Sequence, residues 1–170
     1  DKIWHFASIA SPFNYLKNPI ETSRVNFLGT YNMLELARKN KSRLLFASTS
    51  EIYGQVNNRP IKEDSLGILN TNSSRSCYFE SKRVAESLCF DYARKFDMKV
   101  KVARIFNSYG PNMSLLDRRV VGNFIKQSLN SESLTIYGDG EQTRSFCYIS
   151  DLIIGLTKIM ESSFFGPVNV

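Results

Sequence analysis

Two short segments of the chain carry side chains that can move protons. Residues 48–54 (STSEIYG) place aliphatic hydroxyls and one carboxylate directly after an apolar run. Further along, Tyr78 and Lys82 stand four residues apart, so on a helix they share one face. A nearby ammonium favours a phenolate, and we therefore expect Lys82 to lower the pKa of Tyr78. Such a tyrosine can take the proton of a substrate hydroxyl, which is the chemistry for oxidising a secondary alcohol when a hydride acceptor is present.

A Tyr-x-x-x-Lys pair alone is common on amphipathic helices and is weak evidence for a catalytic site. The neighbouring segments make the catalytic interpretation stronger. Residues 43–47 (RLLFA) form an apolar run of strand type immediately before the hydroxyl segment. A second run, 100–106, ends at Asn107 and a turn-forming Ser-Tyr-Gly-Pro sequence. In open α/β sheets, ligands bind at the carboxyl ends of the strands. We therefore expect the hydroxyls, the carboxylate, the Tyr/Lys pair and Asn107 to meet at that edge.

Strand-like and helix-like segments alternate along the whole chain. The polar stretch 55–75 reads as a loop, and Ser150 is the expected N-cap of the last helix. The pattern predicts strands at 3–7, 43–47, 100–106, 134–137, 144–149 and 167–170, and helices at 22–40, 76–96, 118–130 and 151–160. Such alternation indicates the α/β class, with a doubly wound parallel sheet covered by helices.

The composition is that of an ordinary globular domain. A length of 170 residues allows a real core, and the net charge of +6 comes from Lys and Arg interspersed with acids. We therefore expect an anionic small substrate and no nucleic-acid partner. No stretch is long enough for a membrane span, and three cysteines without paired spacing indicate free thiols and a cytoplasmic location. With His5 as its single histidine, the chain is expected to hold no metal.

No glycine-rich dinucleotide-binding loop, Gly-x-Gly-x-x-Gly or Gly-x-x-Gly-x-x-Gly, occurs in the sequence. The chain enters a strand-like segment at once and stops at the start of another. These features predict a fragment of a dinucleotide-binding fold that lacks its first strands and its pyrophosphate-binding loop. We expect the 170 residues alone to be inactive.

Seven motifs occur in a characteristic order over essentially the whole chain. They are residues 5–8 (HFAS), 26–30 (NxxGT), 48–54, 77–86 (CYxxxKRxAE), 103–111 (ARIFNxYGP), 119–124 (RVVxNF) and 137–146 (YGxGxQTRxF). Together they resemble the extended short-chain dehydrogenase/reductase family and, within it, the UDP-glucuronate decarboxylases. The resemblance implies a homodimer with an incomplete Rossmann-like NAD-binding domain over residues 1–112. Residues 113–170 would be a nucleotide-sugar-binding portion, part of a small C-terminal substrate domain, interleaved with the last sheet elements.

The resemblance also implies a reaction, the NAD-dependent decarboxylation of UDP-glucuronate to UDP-xylose through a 4-keto intermediate. Thr49 would hydrogen-bond the sugar 4-hydroxyl, Tyr78 would remove its proton, and Lys82 would hold the nicotinamide ribose. The implied catalytic set is Thr49, Ser50, Glu51, Tyr78 and Lys82; the implied NAD contacts are Ala7, Ser8, Ser48, Tyr78, Lys82 and Phe106. The implied UDP-sugar contacts are Asn107, Arg119, Tyr137 and Arg144, with Arg144 near the diphosphate and the substrate carboxylate. For Arg144, a surface ion pair with Asp139 or Glu141 is the alternative.

Position 50 separates related activities within the family. In 4,6-dehydratases of the dTDP-glucose type, an aspartate there protonates a leaving hydroxyl, and Ser50 is a poor proton donor. Serine is also found there in GDP-mannose 4,6-dehydratases, so a 4,6-dehydratase or a 4-epimerase acting on another nucleotide sugar stays an alternative. A non-catalytic nucleotide-binding module is the third possibility. Phe79 and Asn112 stand where the family usually has an acid and an arginine, which leaves the substrate preference open.

Overall fold

The computed structural model describes residues 1–56, 60–114 and 119–170. Within them, a four-stranded parallel sheet has the order β1-β2-β3-β6. Its strands are β1 (Lys2–His5), β2 (Arg43–Thr49), β3 (Val100–Ile105) and β6 (Pro167–Asn169), and a separate parallel pair is formed by β4 (Asn107–Tyr109) and β5 (Phe146–Tyr148). The helices are α1 (Pro12–Lys17), α2 (Pro19–Arg24), α3 (Thr30–Lys39), α4 (Ser76–Phe96), α5 (Val120–Leu129) and α6 (Ile149–Glu161).

The central strands are apolar because both faces of the sheet are covered. On one face, Leu44 and Phe46 of β2 pack with residues of α3 and α4. On the other face, Leu45 packs with Leu152 and Leu156 of α6. Helices on both faces of a parallel sheet confirm the predicted doubly wound α/β architecture.

The helical region predicted at 22–40 begins earlier in the structure than the sequence pattern suggests. It begins at Pro19, a residue suited to a first helical position, and α2 leads into α3 through a π-helical turn, Val25–Gly29. Single π-turns inside helices are often found at functional sites. Here the turn buries the side chain of Asn26.

Residues 134–137, predicted as a strand, have no regular secondary structure. Leu134, Ile136 and Tyr137 are 51%, 64% and 72% exposed, and an isolated apolar run has no neighbouring strand with which to pair. The prediction from local pattern is therefore wrong here. None of the described helices is long and apolar enough to cross a membrane.

The region around the last helix also differs from the sequence prediction. The predicted strand 144–149 shortens to β5, and α6 begins at Ile149 with Tyr148 as its N-cap, in place of Ser150. Pairing of β5 with β4 ends at Tyr148, so the helix begins at once and Ser150 already lies in its first turn. The start of the predicted helix 118–130 lies outside the described residues at Arg118. The proposed division into 1–112 and 113–170 stays a prediction.

Candidate active site

Thr49 and Tyr78 meet at the carboxyl end of β2. Thr49 is the last residue of the strand and caps a 3₁₀ turn, Ser50–Tyr53, by accepting a hydrogen bond from the Glu51 amide at 3.2 Å. The Thr49 hydroxyl lies close enough to Tyr78, in the first turn of α4, to influence the pKa of its phenol. The structure thus brings the hydroxyl segment and the tyrosine together at the edge where the sequence predicts them.

Tyr78 is only 7% exposed and its ring stacks on that of Tyr15, with centroids 5.0 Å apart. Burial raises the pKa of Tyr78 to about 12. The nearby Thr49 hydroxyl and the charge of Arg119 oppose this rise in pKa, whereas the charge of Glu51 adds to it. In this state the phenol keeps its proton at neutral pH.

Lys82 is turned toward the sheet backbone. Its ammonium donates to the Ala47 carbonyl at 2.7 Å and lies 4.8 Å from the Phe46 ring centroid. Burial lowers the pKa of Lys82 itself to about 8. The expected lowering of the Tyr78 pKa by Lys82 is therefore not what the structure shows, because burial outweighs any such effect in the folded chain.

A group that sequence reasoning missed surrounds Glu51. Arg75 pairs with the Glu51 carboxylate at 2.5 Å and donates to the Tyr15 hydroxyl at 2.8 Å. Tyr15 is fully buried beneath Tyr78. No spacing in the sequence links α1 to the residue before α4, so only the tertiary structure reveals that these side chains border the site.

Polar side chains connect the loop after β1 to α4; Ser8 is partly buried, and Asn26 and Ser81 are buried. Ser8 donates to the Asn26 side-chain oxygen at 2.7 Å, and Asn26 donates to Ser81 at 2.9 Å. Ala7, next to Ser8, is exposed. The NAD contacts predicted for Ala7 and Ser8 stay predictions, and their loop lies beside the helix that carries Tyr78 and Lys82.

Two other predicted cofactor contacts lie at the ends of the central strands. Ser48 donates its hydroxyl hydrogen to Glu86 at 2.6 Å, so that side chain already has a protein partner. Phe106 follows β3, with its ring centroid 6.5 Å from that of Tyr53. Their contacts with NAD also stay predictions.

The four residues predicted to bind the substrate do not all lie at the candidate site. Arg119 precedes α5, and its charge reaches Tyr78. Asn107 donates to the Ser145 carbonyl at 3.1 Å, where it holds the β4–β5 pair. Tyr137 is 72% exposed, and Arg144 is exposed and donates to the adjacent Thr143 carbonyl at 2.8 Å. Of the four, the structure brings the charge of Arg119 to the candidate site.

The whole chain, residues 1–170, matches the model of the NAD dependent epimerase/dehydratase family. The chain belongs to this family. It is 52% identical over 170 residues to UDP-glucuronic acid decarboxylase 1 of Xenopus tropicalis and 49% identical to UDP-glucuronic acid decarboxylase 3 of Arabidopsis thaliana. The match covers 100% of this chain but 40% and 50% of those relatives, so the chain spans about half their length or less.

Among solved structures, the chain is similar to UDP-glucuronic acid 4-epimerase from Bacillus cereus in complex with UDP-glucuronic acid and NAD. The TM-score is 0.85 at 31% identity, covering 100% of this chain and 53% of that one. The family predicted from the motifs and the Rossmann-like fold are confirmed, and NAD is the cofactor of this family.

Proposed function

We propose that the protein is an NAD-dependent decarboxylase that converts UDP-glucuronate to UDP-xylose through a 4-keto intermediate. The observation that supports this most directly is the proximity of the buried Thr49 and Tyr78 side chains, with buried Lys82 on the same helix as Tyr78. The identity of 52% and 49% with proteins named UDP-glucuronic acid decarboxylases supports the substrate.

Lys82 fits a hydroxyl-bearing cofactor such as NAD. It is 3% exposed, and among the described residues the Ala47 carbonyl is the acceptor found for its three donor hydrogens. A buried ammonium is favoured when its hydrogens find acceptors, and a ribose would provide them. NAD, when bound, supplies the hydride acceptor and a positively charged ring. Lys82 and Tyr78 would hold its ribose, while Ala7, Ser8, Ser48 and Phe106 would line the remainder.

The pKa of Tyr78 must fall from its raised value before the phenol can act as a base. A phenol with a pKa of about 12 provides little phenolate at neutral pH. We propose that Lys82 turns from Ala47 toward the ribose in the loaded site, where added positive charge near the phenol favours its ionised form. Thr49 would then orient the sugar 4-hydroxyl, and Tyr78 would take its proton.

Ser50 and Glu51 complete the proposed site. Oxidation at C4 would make the substrate a β-keto acid, which loses carbon dioxide as the electrons of the C5–C6 bond move into the ketone. The resulting enolate would take a proton at C5, and return of the hydride and the proton to the C4 ketone would give UDP-xylose with no net oxidation. The loss of carbon dioxide needs no acid at position 50, which is consistent with Ser50. We propose that Glu51, which pairs with Arg75 at 2.5 Å and lies beside the Thr49–Tyr78 pair, takes part in the proton transfers of the later steps.

A 4-epimerase is the second candidate, because the chain resembles a solved UDP-glucuronic acid 4-epimerase. The full-length protein, given NAD and UDP-glucuronate labelled at C6, should release labelled carbon dioxide and form UDP-xylose. Formation of the C4 epimer without carbon dioxide would favour the epimerase. Conversion of UDP-glucose to a 4-keto-6-deoxy product, with no carbon dioxide from UDP-glucuronate, would favour a dehydratase.

Arg144 is proposed to select the acid sugar. A charge-assisted hydrogen bond contributes about 1.5–3 kcal/mol, so Arg144→Ala should reduce the preference for UDP-glucuronate over UDP-glucose by about one to two orders of magnitude. Competition binding to the full-length protein measures this, with Arg94→Ala, an exposed arginine of α4, as the matched control. Equal losses of affinity for both sugars would mean that Arg144 contacts the diphosphate and not the carboxylate.

The predicted homodimer is proposed to form through a groove between α2, the π-helical turn and α4. Phe27, Leu28 and Val84 line it and are 38%, 46% and 47% exposed. Arg24 and Glu80 also line the groove and carry opposite charges, which a two-fold interface can pair. Light scattering after gel filtration should give a dimer for the full-length protein and a monomer for Val84→Glu; a monomeric wild type would contradict the proposal.

A cytoplasmic location is likewise proposed. Cys77, Cys89 and Cys147 are free thiols, as is usual in a reducing compartment. Fractionation of cells that express the full-length protein would test this, and recovery from an oxidising compartment would contradict it.

A further inference from the structure

A buried polar cluster lies behind the Thr49–Tyr78 pair, between α4 and the sheet. Ser48 donates to one carboxylate oxygen of Glu86 at 2.6 Å, and Arg104 donates to the other at 2.5 Å. Ser48 and Arg104 are direct register partners in β2 and β3, so their side chains point to the same face of the sheet. Glu86 therefore joins both central strands to α4.

Arg104 extends the same cluster to three further segments. Its guanidinium donates to the Tyr53 hydroxyl at 2.7 Å and to the Glu63 carbonyl at 2.7 Å. Tyr53 donates in turn to the Asn169 side chain in β6 at 2.7 Å. We call Ser48, Tyr53, Glu86, Arg104 and Asn169 the Glu86–Arg104 cluster.

The cluster interrupts an apolar layer. Leu44 and Phe46 precede Ser48 on the same face of β2, and Val100 and Val102 precede Arg104 on β3. The Glu86 and Arg104 side chains are only 6% and 12% exposed. Desolvation offsets most of the attraction in a buried ion pair, so apolar residues of similar size would stabilise the fold about as well. The burial of the ion pair is therefore weak evidence for a gain in stability, and the several fixed hydrogen bonds instead suggest a role in geometry.

The cluster connects the two segments that form the candidate site. Glu86 lies one helical turn beyond Lys82 and two beyond Tyr78, on the same face of α4. Ser48 precedes Thr49, and Tyr53 ends the turn that contains Ser50 and Glu51. We propose that Glu86 and Arg104 are positioning residues that fix the Thr49–Glu51 segment against Tyr78. This inference rests on the proposed function for its catalytic consequence.

Hydrogen exchange on the full-length protein tests the positioning without any substrate. The variant Glu86→Leu/Arg104→Met replaces the ion pair by apolar side chains, and Arg104→Lys keeps the charge but loses the planar fork that reaches several acceptors. Exchange of the amides of residues 50–53 should become about tenfold faster in either variant. The control Asp91→Leu/Arg94→Met changes an exposed ion pair of the same helix and should leave it unchanged. If a folded variant exchanged the amides of residues 50–53 at the wild-type rate, the proposal would be overturned.

Kinetics of the full-length protein test the catalytic consequence. Since small misplacements of reacting groups can lower rates by about 100-fold, kcat should fall 10- to 100-fold in the double variant while KM for the nucleotide sugar changes less than threefold. A Glu86→Gln variant, which still accepts a hydrogen bond, should recover part of kcat. A wild-type kcat alongside faster exchange would overturn the proposal. If the wild type turned over no nucleotide sugar, the proposed function would fail, and the exchange experiment would still decide whether the cluster holds the segment.

Discussion

At Tyr78, burial disfavours the negatively charged phenolate that a general base requires. The ring lies between Tyr15 and the end of β2, and the pKa of its phenol rises to about 12. A lowered pKa would need positive charge close to the hydroxyl, and Lys82 instead donates to the Ala47 carbonyl. In the proposed mechanism, the pKa of Tyr78 must therefore fall when the site is loaded, although the side chain already lies beside Thr49.

Removal of the Tyr78 hydroxyl should abolish turnover but not binding. In the full-length protein, Tyr78→Phe should lower kcat by about two to four orders of magnitude, because the lost group acts mainly in the transition state. Calorimetry should show nucleotide-sugar affinity close to wild type. Tyr31→Phe, which alters a half-exposed tyrosine of α3, is the matched control. More than a tenth of wild-type activity in Tyr78→Phe would mean that another group is the base.

His5 should make stability depend on pH. Burial, helped by the charge of Lys82, lowers its pKa from 6.5 to about 4. Between those values the unfolded chain binds the proton more readily than the folded one, so stability should fall as the pH drops from 6.5 toward 4. Urea unfolding at pH 7 and pH 4.5 should show a loss about 2 kcal/mol larger in wild type than in His5→Gln. Equal losses in the two proteins would contradict the prediction.

At the scale of elements, a close backbone contact holds the Ser50–Tyr53 turn. Gly54 has a φ of 60°, a left-handed conformation that favours glycine, and it bridges to Ile68. A Cβ atom at Gly67 would lie 1.8 Å from the Tyr53 carbonyl oxygen. The loop that contains Gly67 and Ile68 therefore packs directly on the Ser50–Tyr53 turn, which is part of the hydroxyl segment.

Gly67→Ala should therefore destabilise the fold by about 1–3 kcal/mol, because backbone atoms cannot move aside as a flexible side chain could. Gly29→Ala is the matched control, since a Cβ there meets nothing within 4 Å. Its helical site should gain up to about 1 kcal/mol on replacement of glycine. Denaturant unfolding of both variants measures the difference, and a neutral Gly67→Ala would show that the contact is looser than described.

At the scale of the whole molecule, the sequence contains the Tyr78/Lys82 pair of the proposed cofactor site and no glycine-rich pyrophosphate-binding loop. We expect the 170 residues alone to bind NAD poorly or not at all, since the pyrophosphate normally rests on that loop and its helix N-terminus. Calorimetric titration of this chain with NAD checks the prediction, with the full-length protein as the positive control. Micromolar affinity for the 170 residues would contradict it.

The sequence by itself determined the fold class, the family and the meeting of Thr49 with Tyr78. Alternating patterns define parallel strands whose carboxyl ends share one edge, and a four-residue helical spacing sets Lys82 on the face of Tyr78. These features depend on local periodicity and chain order. Local pattern failed at residues 134–137, because a strand also needs a neighbour with which to pair.

Only the tertiary structure decided the pKa values of the site residues and the contacts that hold those residues in position. The pKa of Tyr78 depends on burial and on charges from separate segments, including Glu51 and Arg119, whose distances the sequence does not contain. The contact of Arg75 with Tyr15 joins residues sixty positions apart. The Glu86–Arg104 cluster likewise depends on strand register and on the placement of α4 over the sheet. Electrostatic effects follow distance and burial in space, and packing alone sets those quantities.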